Sequence, residues 1–207
     1  MQAPGWELER RLWARGLVAV AGVDEAGRGA LAGPVAAAAV LLQPGRDYPY
    51  RDSKTLTREE RARLAARLRR EAVACAVAFA SAAEVDALNV LGATKLAARR
   101  AVAVLADRVD GLVTDYLELG TGRVELAVPR ADATSYQVAA ASVLAKHERD
   151  AYLERLEDEF PGYGFARHAG YGVPEHLRAL RRLGPCPHHR RSFAPVAAVC
   201  LFGADGS

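Results

Sequence analysis

Apolar residues fall along the chain in runs whose spacing predicts alternating strands and helices. Leu17-Val18-Ala19-Val20-Ala21-Gly22-Val23 has no polar alternation, the pattern of a strand buried on both faces, and predicts a first strand over residues 17–23. Residues 35–43 predict a second strand, antiparallel to the first across a glycine-rich turn, although their alanines also suit a helix. Pro44, Gly45 and Pro49 mark a loop leading to Asp52-Ser53-Lys54. Thr57 with Glu60 forms a capping-box pair, so a helix is expected from there to about residue 70, with Leu64 and Leu68 facing inward. Residues 73–80 predict a third strand containing Cys75. Ser81 with Glu84 repeats the capping signal for a short helix to about residue 88, and a longer helix is expected over 90–106. Residues 111–115 and 124–128 predict two more strands, the second ended by Pro129. Thr134 with Gln137 predicts a helix from Ser135 to about Asp150, followed by a second helical stretch to Glu159. The first 16 residues read as a polar lead with one helical turn that packs Trp6 and Trp13 on the body.

This order predicts an α/β layer architecture with a mixed five-stranded sheet flanked by helices, its acids gathered at strand ends and one helix start. With 207 residues, 51% of them apolar, the chain can bury one sizeable core. The expected layout is a core in residues 1–160 and a small helical C-terminal appendage in 161–207, countable as one domain over 17–196. Charge changes the picture little: the net charge is +3 and the pI about 8.9. The basicity is nearly all arginine, with only Lys54, Lys95 and Lys146 as lysines, which favours fork-like contacts to phosphate or carboxylate. Cys75, Cys186 and Cys200 are too scattered for a disulfide framework, and Cys186 with His188 and His189 lacks a second cysteine at zinc spacing. A reducing, cytoplasmic location is therefore expected. No apolar run approaches the ~18 residues of a membrane span, and the charged Glu7-Leu8-Glu9-Arg10-Arg11 does not resemble a signal peptide.

The stretch Ala21-Gly22-Val23-Asp24-Glu25-Ala26-Gly27-Arg28-Gly29-Ala30-Leu31-Ala32-Gly33-Pro34 concentrates the chemistry. Asp24 and Glu25 would point to opposite faces of an unbroken strand, so a bend at the pair is expected if they share a site. Gly27, Gly29 and Gly33 allow a bend and let the backbone approach a sugar or phosphate, while Arg28 adds a fixed positive charge. Three readings compete: a tight turn with solvated acids, a dinucleotide loop, and a divalent-metal site facing a nucleic-acid backbone. The dinucleotide reading fits poorly, because the last glycine comes one residue late, no helix follows Pro34, and two carboxylates would repel a pyrophosphate.

The third reading gains weight from a family resemblance. The stretch resembles the signature G-V-D-E-x-G-R-G-x-L-A-G-P-V of bacterial ribonuclease HII. Asp52-Ser53-Lys54-Thr55-Leu56 is similar to that family's D-S-K-x-L segment, and Asn89-Val90-Leu91-Gly92-Ala93-Thr94 to its N-I-L-x-A-T. Ala139-Ala140-Ala141-Ser142-Val143-Leu144-Ala145-Lys146, followed by Arg149-Asp150, resembles A-A-A-S-I-x-A-K-x-x-R-D. Tyr163-Gly164-Phe165, His168-Ala169-Gly170-Tyr171 and His189-Arg190-Arg191-Ser192-Phe193 resemble Y-G-F, H-K-G-Y and H-R-x-S-F. Three departures stand out: Tyr116 where glycine usually follows the third acid, Arg130-Ala131-Asp132 in place of K-G-D, and Ala169 in place of lysine.

The resemblance implies a ribonuclease H-like fold and an endonuclease that cuts the RNA strand of RNA–DNA hybrids and cuts 5′ of ribonucleotides embedded in duplex DNA. It implies Asp24, Glu25, Asp115 and Asp132 as catalytic and metal-binding acids. Two hard divalent cations ~3.5–4 Å apart can activate water and stabilise the leaving oxygen, and Mg2+ or Mn2+ held by carboxylates needs no histidine or cysteine. Asp150 is a rival for the fourth place, but beside Arg149 late in a helix it reads as an ordinary ion-pair acid. For substrate binding, the resemblance implies that Gly27, Arg28 and Gly29, with Tyr171, read the junction where RNA passes into DNA. Sensing a lone 2′-hydroxyl calls for backbone groups held at close range. Lys54, Lys146, His188, Arg190 and Arg191 are candidate phosphate contacts, and residues 161–207 become a substrate-binding appendage on the core. The expected partners are the hybrid and ribonucleotide-containing duplexes, for a monomer with no obligatory protein partner, and the tail over 197–207 carries no clamp-binding motif. Two other classes remain open: a hybrid-binding protein without catalysis, against which the four carboxylates argue, and a nucleotide-dependent oxidoreductase, which would need a helix after Gly33.

Overall fold

Alanine and valine fill the central strands because helices cover both faces of the sheet. The computed structural model describes residues 4–202. Its strands are β1 (Val20–Ala26), β2 (Val35–Leu41), β3 (Ala74–Ala80), β4 (Gly111–Asp115) and β5 (Val124–Val128), in the order β3-β2-β1-β4-β5. β1 is antiparallel to β2 and parallel to β4, β2 is antiparallel to β3, and β4 is parallel to β5. The helices of the described residues are α1 (Glu7–Trp13), α2 (Arg58–Glu71), α3 (Ala82–Leu105), α4 (Tyr136–Glu159), α5 (Phe165–His168), α6 (Pro174–Leu183) and α7 (Ala194–Phe202). None of them is long and apolar enough to cross a membrane.

Strand alternation sorts the core into two layers. Val35, Ala37 and Ala39 pack with Ala93, Ala97 and Ala101 of α3, while Ala38 and Val40 pack with Ala140, Ala141 and Leu144 of α4. Small side chains bring α4 close to β1: a Cβ on Gly22 would stand 2.3 Å from the carbonyl carbon of Gln137. Gln137 uses that proximity as a staple, accepting from the Leu42 N–H at 2.7 Å and donating to the Val20 carbonyl. Gln137→Leu strands both buried backbone groups at ~1–3 kcal/mol each. Thermal denaturation should then show a midpoint lower by about 5 °C or more, and an unchanged midpoint would deny Gln137 this role.

Several boundaries differ from the sequence expectation. β1 starts at Val20 because the N–H groups of Val18 and Ala19 are taken by the Asp110 carboxylate, at 2.8 and 3.0 Å. β1 also continues through Asp24 and Glu25, paired with Ala38 and Ala37, so the chain bends after Ala26 and not at the acids. The cap of α4 is Ser135, whose hydroxyl accepts from the Val138 N–H at 3.1 Å, and α4 runs unbroken past Asp150. The capping boxes at Thr57 and Ser81 form as expected, and α3 breaks at Asn89, whose side chain caps the second half through the N–H groups of Leu91 and Gly92. α1 is a helix whose Leu8 and Leu12 join Val113 and Val138 in a further apolar cluster. Beyond α4, Tyr163, Phe165 and Ala179 pack on Leu153 and Leu156, so the C-terminal helices rest on the far half of α4. Residues 203–207 of the tail lie outside the described residues.

Candidate active site

Because β1 and β4 are parallel, their C-terminal ends reach the same edge of the sheet. Their register pairs Val23 with Thr114, so the next residues, Asp24 and Asp115, emerge as neighbours. Asp132 comes from the single 3-10 turn Ala131–Ala133 that joins β5 to α4, and Asp115 fixes that turn by accepting the Ala131 N–H at 3.1 Å. Asp24 accepts the Glu25 N–H at 2.8 Å and a hydrogen bond from Ser142 of α4, which in turn meets Ser53 at 2.9 Å beside Lys54. A cleft of about 320 Å³ opens here, with Asp24, Glu25, Asp115 and Lys54 on its floor and sides and Gly27, Arg28, Gly29, Lys146 and Tyr171 around it.

The electrostatics are those of a crowded acid cluster. Burial, then the Glu25 and Asp115 charges, push the Asp24 carboxyl well above its ordinary pKa. Burial also raises Glu25, against the pull of the Arg28 guanidinium 3.1 Å away, and raises Asp132, aided by Asp115 and Asp52. Burial pulls Lys54 down, but Asp52, Asp132, Asp24 and Asp115 outweigh it and raise its pKa on balance. The Lys54 charge also acts to lower Glu25, so all four candidate acids interact with one ammonium. Among the described residues no three His, Cys, Asp or Glu side chains form a ready metal cage. The donors fit an open site for a hard cation, since Mg2+ is held by one or two carboxylates and substrate phosphate and keeps several of its waters.

The turn over residues 27–34 lines the same cleft through Gly27, Arg28 and Gly29. Gly27 has φ +92°, and a Cβ there would lie 1.8 Å from Nε of Arg149. Arg190 donates to the carbonyls of Gly27, Arg28 and Gly33 at 2.7, 2.8 and 3.1 Å. Among the described residues no protein acceptor takes the N–H of Arg28 or Gly29, so both remain available to a ligand. Tyr171 is half-buried, its ring centre 5.6 Å from Nζ of Lys146 and 5.4 Å from Cζ of Arg149.

The sequence candidates thus fall into two groups. Asp24, Glu25, Asp115, Gly27, Arg28, Gly29, Lys54, Lys146 and Tyr171 share the cleft, with Asp132 buried just behind Asp115. Arg190 is corrected: its guanidinium is fully buried and spent on carbonyls, which removes it from phosphate contact. His188 packs edge-on against Tyr152 and Phe160, and Arg191, bonded through its N–H to Asp86, is exposed; both stand outside the cleft lining. Asp150 is occupied by Lys146 at 2.6 Å and Arg61 at 3.3 Å. Sequence reasoning gave Arg149 no role of its own, although it stands in helical register with Ala145, Leu153 and Leu156, and a charged residue in an apolar stripe is a signal of a buried polar task. The three motif departures leave the carboxylates in place; Tyr116, Arg130 and Ala169 all take positive φ, at +65°, +58° and +49°.

The chain is similar to known proteins over most of its length. The family model described as Ribonuclease HII matches residues 21–196. A ribonuclease HII from Thermus thermophilus is 55% identical over 94% of this chain and 95% of its own length. The crystal structure of ribonuclease H2 from Pyrococcus horikoshii OT3 superposes with a TM-score of 0.76 at 25% identity, over 88% of this chain and 97% of that one. A ribonuclease HII of Archaeoglobus fulgidus, solved in complex with PCNA, gives a TM-score of 0.70 at 26% identity, over 83% of this chain and 92% of that one.

Proposed function

The chain belongs to the ribonuclease HII family and is a metal-dependent endonuclease of RNA–DNA hybrids, and from that premise we propose the roles of its residues. It hydrolyses the RNA strand of hybrids and nicks duplex DNA 5′ of embedded ribonucleotides, leaving 3′-hydroxyl and 5′-phosphate ends. The observation that carries the assignment is the emergence of Asp24 and Asp115 side by side from parallel strands, in a cleft that the glycine turn also lines. Asp24, Glu25, Asp115 and Asp132 would hold Mg2+ or Mn2+, which when bound supply Lewis-acid activation of the attacking water and stabilisation of the leaving oxygen. Ser142 and the Glu25 N–H orient the Asp24 carboxylate. Lys54, charged within the acid field, engages the substrate phosphate. The free N–H groups of Arg28 and Gly29 meet the 2′-hydroxyl, and Tyr171 packs on the sugar at the DNA side of the junction. Residues 161–207 serve as the substrate-binding appendage through Tyr171. The PCNA complex is a property of the Archaeoglobus protein; the reading for this chain is a cytoplasmic monomer that acts on nucleic acid with no obligatory protein partner.

Incubation of the purified protein with an RNA–DNA hybrid under chelation, then with Mg2+ or Mn2+ restored, tests the assignment. Cleavage should appear only with the metal; hybrid binding without cleavage in every condition would favour the non-catalytic reading. Phosphate contacts release counterions, so hybrid affinity should fall as salt rises, and Lys54→Ala should lower the slope of log affinity against log salt by about 1. A flat salt dependence would reject the role of Lys54.

A further inference from the structure

Two arginines without a carboxylate partner lie beneath the substrate-reading wall. Arg149 and Arg190 are both fully buried, and among the described residues neither makes an ion pair. Burial is costly for a guanidinium and is tolerated here because the donors meet backbone carbonyls. The Arg190 side chain hydrogen-bonds the turn, at Gly27, Arg28 and Gly33, and stacks on Phe193. Arg149 serves two segments. It donates to Ala32 and Pro34, at 3.1 and 2.9 Å, and to Ala169, at 2.9 Å, two residues before Tyr171. The Gly170 carbonyl reinforces the same seam by accepting the N–H groups of Leu31 and Ala32 at 2.8 and 3.3 Å.

We propose that Arg149 is a specificity-positioning residue: its planar guanidinium, bonded at once to the turn and to the Tyr171 segment, sets the spacing between the two surfaces that read a lone ribonucleotide. This rests on the assignment of those surfaces under the proposed function. The guanidinium fork suits the task, because donors of fixed direction hold three carbonyls in one geometry, whereas a lysine ammonium keeps the charge but cannot span them. A lone ribonucleotide offers one 2′-hydroxyl and needs both surfaces in register, while a continuous RNA tract can use neighbouring positions when the register slips.

The test compares kcat/KM for a duplex with one ribonucleotide and for a continuous hybrid, in wild type, Arg149→Lys and Arg149→Met, at a temperature below every melting midpoint. Arg149→Lys should lower the ratio of single-ribonucleotide to hybrid cleavage about five-fold, and Arg149→Met should lower it at least as far. A merely structural role lowers both activities together, and an unchanged ratio overturns the proposal. If Tyr171→Ala also leaves the ratio unchanged, the reading of the surfaces themselves has failed; if Tyr171→Ala shifts it, only the role of Arg149 has failed. Amide hydrogen exchange of the wild type supplies a measurement that needs no variant: the hydrogen-bonded amides of Leu31, Ala32 and Gly33 and those of Ala169 and Tyr171 should open as one unit with a common protection, and independent opening overturns the coupling.

Discussion

Asp24→Asn is expected to reduce cleavage of every substrate to background while leaving hybrid binding intact. The substitution keeps the shape of the side chain and removes its formal charge from the position where β1 and β4 end together. The amide oxygen can still accept the Glu25 N–H, so the local backbone should hold. Burial and the charges of Glu25 and Asp115 already disfavour the ionised form of Asp24, and a neutral amide removes that repulsion. Melting of the metal-free variant should therefore be no lower than that of wild type, which separates lost chemistry from lost folding. A folded variant that cuts near the wild-type rate would show that the acids around Asp24 do not form the catalytic set.

Tyr171→Ala should cost roughly tenfold or more on a duplex with one ribonucleotide, and Tyr171→Phe very little. Under the proposed function the ring would supply contact area to the sugar beside the junction and no ligand to a metal, so the hydroxyl should be dispensable and the ring should not. Stacking surfaces of this kind are worth ~1–3 kcal/mol when they hold a base. Its ring lies against Lys146 and Arg149, and its segment is bonded to the turn, so the ring is held in place before substrate arrives. A continuous hybrid offers many 2′-hydroxyl contacts and should lose less. Cleavage of both substrates by wild type and the two variants under one metal condition decides the point. Equal losses would make Tyr171 a structural residue, and an unaffected alanine variant would remove it from the site.

Much of the fold was legible because its signals are local. The capping boxes at Thr57 and Ser81, the break at Asn89 and the five strands follow from residues within a turn or two of one another. The displaced boundaries come from distant partners. Asp110 takes the amides of Val18 and Ala19 across more than 90 residues, and no pattern around residue 18 announces it. The cap at Ser135 belongs with the packing of Gln137 against β1 and Leu42, another long-range fact.

The site divides in the same way. The carboxylates and glycines were visible as residue types, but the structure alone separates Arg190 from its neighbour Arg191, one buried beneath the turn and the other exposed. A motif gives residue identity and spacing, not the direction of a side chain. Arg149 was passed over for the same reason: it stood only as the neighbour of Asp150, whose ion pairs are with Lys146 and Arg61, while Arg149 points the other way, to carbonyls of the turn.

The most direct measurement is the mapping of products from a DNA duplex that carries a single ribonucleotide, incubated with the protein and Mg2+ or Mn2+. If the acids act as proposed, beside a turn that reads one 2′-hydroxyl, the product should be a single nick on the 5′ side of the ribonucleotide, with a 3′-hydroxyl on one fragment and a 5′-phosphate on the other. An intact duplex under conditions where the folded protein binds it, or a cut at any other position, would contradict that assignment.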